Sequence, residues 1–115
     1  MIQRQHSNQR MSQLVSFADL VWTAGQVAKN PSEDMAGQTH QVLAQIDALL
    51  KDAGSDKSRL ISANIWVSDI SQFDQMNAVW DAWVDSKNTP VRACVESRLA
   101  RPELLVEIQV IAAKA

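Results

Sequence analysis

Cysteine occurs once in this sequence, histidine twice, and glycine and proline three times each. A single cysteine, Cys94, excludes an intrachain disulfide and a Cys-x-x-Cys metal knuckle. With only His6 and His40, and no His/Cys cluster, no metal site and no cofactor are expected. The few glycines form neither a GxGxxG turn nor a P-loop, and GxSxG and HExxH are also missing. GSDKS at 54–58 shares only composition with a phosphate loop and reads as a helix-to-strand connection. No apolar run approaches the length of a membrane span. The opening MIQRQHSNQRMSQ lacks the apolar centre of a signal peptide, so a cytoplasmic location without a membrane partner is expected. Net charge is −2 and the pI about 5.6. That balance gives no broad basic surface, and no nucleic-acid partner is expected.

What is present fits one globular domain over 1–115, with residues 1–10 expected to form a polar, loosely ordered segment. The chain is 46% hydrophobic and 21% charged, ordinary values for a folded protein. Met35, Thr39, Val42, Leu43, Ile46, Leu49, Leu50 and Ala53 recur at spacings of three and four, which predicts a helix over 35–53. Asn30-Pro31 and Glu33 mark its approach, and Gly54 fits a left-handed cap at its end. Phe73, Met76, Trp80, Trp83 and Val84 predict a second helix over 71–87, capped by Asp69 or Ser71. Trp80 and Trp83, one turn apart, read as core rather than as a ligand platform.

Between these helices Ile61, Ala63, Ile65 and Val67 alternate with polar or amphipathic residues, the period of a strand. LVSF (14–17) and LVWTAG (20–25), split by Ala18-Asp19, predict an early hairpin. Val91–Arg98 and Leu104–Ala112 predict two closing strands joined by a turn at Arg101-Pro102. The order β-β-α-β-α-β-β is an α+β sandwich with two helices on one face of a mixed sheet. Leu105, Ile111 and Ala113 leave the other face of the last strand apolar, and a second copy of the chain is its simplest cover.

Arg92 and Glu107 stand among residues suited to burial, where a charge is costly unless paired or used. A closing hairpin with facing residue numbers summing to 201 would set Cys94 opposite Glu107 and put Arg92, Cys94 and Glu107 on one face. The residues alone leave open a structural ion pair or two strand-end charges reaching solvent. Cys94, with no histidine near it in sequence, reads as a small hydrophobe rather than a nucleophile.

PVRACVES at 90–97 followed by LLVEIQVIAA at 104–113 resembles the signature of the Rid (reactive intermediate deaminase, RidA/YjgF) family. WTAGQV at 22–27, GSDKSRL at 54–60 and WVSDISQFDQMNAVWDAW at 66–83 match it in order and spacing, so the resemblance spans about Met11 to Ala113. The tryptophan-rich second helix is most similar to the RutC/YoaB-like branch. The resemblance implies a chorismate-mutase-like homotrimer with clefts between subunits, hydrolysing 2-imino acids or their enamine tautomers to 2-keto acids and ammonia. It assigns Arg92 to the substrate carboxylate, the backbone at Cys94 to ligand orientation, Glu107 to the attacking water, and Gly25 of a neighbouring subunit to a backbone contact. Members usually carry a tyrosine near the N-terminus and often a serine before the glycine. Here Met11, flanked by Arg10 and Ser12, and Ala24 hold those positions, which implies an altered substrate preference. The alternative is a trimeric module that binds a small carboxylate or a regulatory partner without turnover.

Overall fold

The computed structural model describes residues 1–115. Its elements are β1 (Gln3–Ser7), β2 (Ser12–Phe17), β3 (Leu20–Thr23), β4 (Gln26–Val27), α1 (Met35–Asp52), β5 (Leu60–Val67), α2 (Phe73–Trp83), β6 (Val91–Glu96) and β7 (Val106–Ala113). One mixed sheet runs in the order β1-β2-β3-β7-β5-β6, with β4 also pairing with β7. All neighbours are antiparallel except β5 and β6, whose parallel pairing requires the crossover that α2 supplies. No helix is long and apolar enough to cross a membrane.

The expected helices and strands are present, with corrections at their ends and at the N-terminus. The polar opening, expected to be loose, contains strand β1 paired with β2 from Gln3↔Ser16 to Ser7↔Ser12. It is an edge strand exposed on both faces, so its ladder comes from the backbone and leaves no apolar alternation in the sequence. Helix α1 is capped by Asp34, whose carboxylate accepts from the Gly37 N–H. At its other end Gly54 adopts φ +74°, as its glycine cap requires. Asp69 caps a short 3-10 turn at 70–72 rather than α2 itself, which ends at Trp83. In β5 the register slips between Leu60 and Ser62. That bulge turns Ile61 outward and lets Leu60, not Ile61, enter the core.

The helices cover one sheet face. Leu43, Ile46 and Leu50 of α1, Met76 and Trp80 of α2, and Ile65 and Ile108 of the central strands form the main core. Each such side chain, fully buried, contributes on the order of 1.5–3 kcal/mol. Gln38, wholly buried, donates to the Glu103 carbonyl at 2.9 Å and accepts from the Leu105 N–H at 2.9 Å. This amide fixes the start of β7 against α1. The opposite sheet face has no helix over it. There Val95 is 50% and Val91 71% exposed, beside half-buried Trp22, Trp66 and Ile111.

Candidate active site

Glu107 lies near the start of β7, in register with Trp66 on one side and Val27 on the other, on the face without helices. Beside it the neighbouring chain segment is irregular. Strands β3 and β4 lie along the same side of β7, but Thr23, Ala24 and Gly25 stand against only Gln109 and Val110. The extra residue is a bulge, a device that breaks the ladder and re-aims side chains. The Val110 N–H left over is satisfied by the Thr23 hydroxyl at 3.1 Å. Gln26, next in the bulged segment, donates to Gln13 at 2.8 Å and accepts from Gln45 of α1 at 3.2 Å, which tethers the loop.

The bulge brings Gly25 against the Glu107 carboxyl. A Cβ at Gly25 would collide with Glu107 Oε2 and lie 2.9 Å from its Cδ. Any side chain at 25 must therefore displace the Glu107 carboxyl group from this position. Gly25 and Glu107 are thus neighbours within one chain.

Burial pushes the Glu107 carboxyl above its usual range. The folded state holds this proton more tightly than the unfolded chain does. Glu107 therefore adds stability below its ordinary titration range, and that stability is lost as pH rises through the raised one.

Arg92 occupies a different place. It is on edge strand β6, in register with Ala63, which pairs in turn with Val110. Both partners face the helices, so Arg92 points to the α2 side of the sheet. Its Nη1 donates to Asn77 Oδ1 at 2.7 Å, and its guanidinium carbon lies 5.3 Å from the Trp80 ring centroid and 5.8 Å from that of Phe73. The expected closing hairpin is not formed, because β5 lies between β6 and β7. Arg92 and Cys94 consequently share one face while Glu107 lies on the other, two strand spacings or about 10 Å across the sheet. The ion-pair reading also falls. The chain's salt bridges join His6 to Asp52 and Arg101 to Glu103.

Cys94 registers with Ile65 and packs against the main core. Burial pushes its thiol up, partly offset by the Arg92 charge. His6 is spent on Asp52 at the far side of the molecule and His40 is exposed on α1, so no imidazole serves the thiol. Met11 is exposed in the turn between β1 and β2, where its N–H and that of Arg10 donate to Asn8 Oδ1. That turn lies at the sheet edge opposite β6. Ala24 enters the bulge with its N–H on the Gln13 carbonyl. The sequence-expected residues thus fall into two groups, Glu107 with Ala24 and Gly25, and Arg92 with Cys94, while Met11 joins neither. Asn77 was missed. Its signal is a polar residue on the α2 face shared by Phe73 and Trp80, at spacings of four and three.

A family model described as Endoribonuclease L-PSP matches residues 1–114. The RutC family protein YoaB of Escherichia coli is 40% identical over 104 residues, 90% of each chain. The crystal structure of a YjgF-family protein from Neisseria meningitidis superposes with a TM-score of 0.97 at 45% identity, covering 100% of this chain and 96% of that one. A more distant relative, the 2-iminobutanoate/2-iminopropanoate deaminase of Escherichia coli, is 28% identical over 107 residues, 87% of this chain and 84% of that one. The resemblance read from PVRACVES and LLVEIQVIAA, on its RutC/YoaB-like side, is borne out by these matches. With both the whole fold and the sequence accounted for, this chain belongs to the Endoribonuclease L-PSP family, whose members include RutC and YjgF proteins.

Proposed function

We propose that the protein hydrolyses 2-imino acids, or their enamine tautomers, to 2-keto acids and ammonia in clefts between the subunits of a homotrimer. The observation that carries this reading is the separation of the two charges. Arg92 and Glu107 occupy opposite faces of one sheet with β5 between them, so one small ligand meets both only if they come from different copies. The exposed apolar face around Val91, Val95 and Trp66 is the surface such copies would cover.

In each cleft the guanidinium of Arg92 receives the substrate carboxylate through two parallel hydrogen bonds, which fixes the position of the imine carbon. The Cys94 backbone helps orient the ligand, and Cys94 has no covalent part. Glu107 of the adjoining copy takes a proton from water as the water oxygen bonds to the C=N carbon. The C=N π pair moves to nitrogen, which takes up the proton that Glu107 accepted from the water. Glu107 then passes the carbinolamine's hydroxyl proton to the amino nitrogen, and as the C=O bond forms the C–N bond breaks and ammonia departs. A carboxylate with a raised pKa is a stronger base for this step than an ordinary one. Met11 and Ala24 bring no hydroxyl to the cleft wall, so selection rests on the arginine fork and the shape of the apolar wall. The binding-only alternative uses Arg92 but gives no task to a half-buried carboxyl in a glycine-shaped niche.

The test pairs assembly with turnover. Light scattering should give three times the 12.8 kDa chain mass. The trimer should also accelerate keto-acid formation from 2-iminopropanoate released by an amino-acid oxidase. A monomer at micromolar concentration removes the cleft. A trimer without acceleration leaves the binding module.

A further inference from the structure

We infer that Asn77 of α2 is a positioning residue for the carboxylate-binding arginine, holding the Arg92 guanidinium in place without neutralising it. The inference rests on the carboxylate role proposed for Arg92. Phe73, Asn77 and Trp80 fall at i, i+4 and i+7 of one helix and so share a face. Asn77 Oδ1 takes one Nη1 hydrogen at 2.7 Å, while the two rings lie 5.8 and 5.3 Å from the guanidinium carbon. A flexible side chain on an exposed edge strand is thereby held at several points.

The support beneath it is firm. Trp80 is only 5% exposed, and its ring centroid lies 5.4 Å from that of Trp83. Trp83 in turn donates its indole N–H to Asp47 of α1 at 3.0 Å. A rigid backing of this kind is what a binding group needs to be preorganised.

The chemical identity of the acceptor is what makes this a functional arrangement. No carboxylate of the chain pairs with Arg92. An aspartate would accept the same hydrogen bond but would also cancel the charge that a substrate carboxylate needs. An amide orients the guanidinium and leaves its charge intact, with hydrogens still available to an incoming anion.

Two variants separate orientation from charge, with 2-oxobutanoate as the probe ligand and the trimer as the sample. In the parent, NMR should resolve slowly exchanging Nη resonances for Arg92. Asn77→Ala should release them and weaken 2-oxobutanoate binding by about 10-fold, the scale of one hydrogen bond to a charged group. Asn77→Asp should keep the Nη resonances restricted yet bind 2-oxobutanoate more weakly than Asn77→Ala does. A residue needed only to shape α2 would tolerate aspartate without this loss. Parent-like binding by Asn77→Asp overturns the inference, as does an Arg92 guanidinium equally mobile in the parent and in Asn77→Ala. A parent that holds Arg92 rigid but binds no 2-oxobutanoate supports the anchoring by Asn77 and overturns the carboxylate reading instead.

Discussion

Replacing Arg92 by alanine is expected to weaken 2-keto-acid binding and imine hydrolysis together. The loss of a charge-assisted contact in a desolvated cleft costs about 2–5 kcal/mol, or roughly 30-fold to several thousand-fold. Two features set the expectation above that of an ordinary surface arginine. The guanidinium is already ordered by Asn77, Trp80 and Phe73, so little entropy is spent when an anion arrives. It also has no acidic partner within the chain to compete for it. Arg92→Lys should recover only part of the loss, because an ammonium cannot present two parallel N–H groups. Calorimetry with 2-oxobutanoate, run beside the hydrolysis assay, measures both effects. Equal binding by Arg92→Ala and the parent would place the anion site elsewhere.

Replacing Glu107 by glutamine should separate the same two quantities. The amide preserves the shape of the niche beside Gly25 but cannot take a proton from water. Turnover should fall by roughly 100-fold or more while 2-oxobutanoate binding stays close to that of the parent. The same variant carries a stability signature of opposite sign. Removing a carboxylate whose charge is disfavoured by burial should raise the melting temperature at neutral pH. The gain should shrink as pH falls and the parent's Glu107 becomes protonated. A variant more stable than the parent but nearly inactive would mark Glu107 as kept for chemistry. Parent-like hydrolysis by Glu107→Gln would make the glutamate structural and leave a binding module.

The period of apolar residues made the two helices, the Ala18-Asp19 hairpin and the last strand legible, because each buries one face against the core. It did not reveal which strands are neighbours. The segment from 97 to 105 looks like the loop of a hairpin, yet it passes the end of β5, and β6 reaches β5 only through the α2 crossover. A pattern of period two is the same whether a strand pairs with its successor or with a strand two places away. For that reason Arg92 and Glu107 were expected on one face and are found on two. The bulge at Ile61 and the polar edge strand β1 escaped for a related cause: the backbone fixes both, and neither needs an apolar pattern. The niche at Gly25 was legible only as a motif, because its meaning depends on the cross-strand approach of Glu107.

The central claim is that one cleft takes Arg92 from one copy and Glu107 from another. Complementation tests it most directly. Arg92→Ala and Glu107→Gln chains, each nearly inactive as a homotrimer, are unfolded, mixed in equal amounts and refolded together. In a closed ring of mixed chains, about one cleft in four receives an intact Arg92 from one neighbour and an intact Glu107 from the other. Hydrolysis should therefore return to about a quarter of the parent rate, although no intact chain is present. A mixture of verified mixed trimers no more active than the separate variants would contradict the shared cleft.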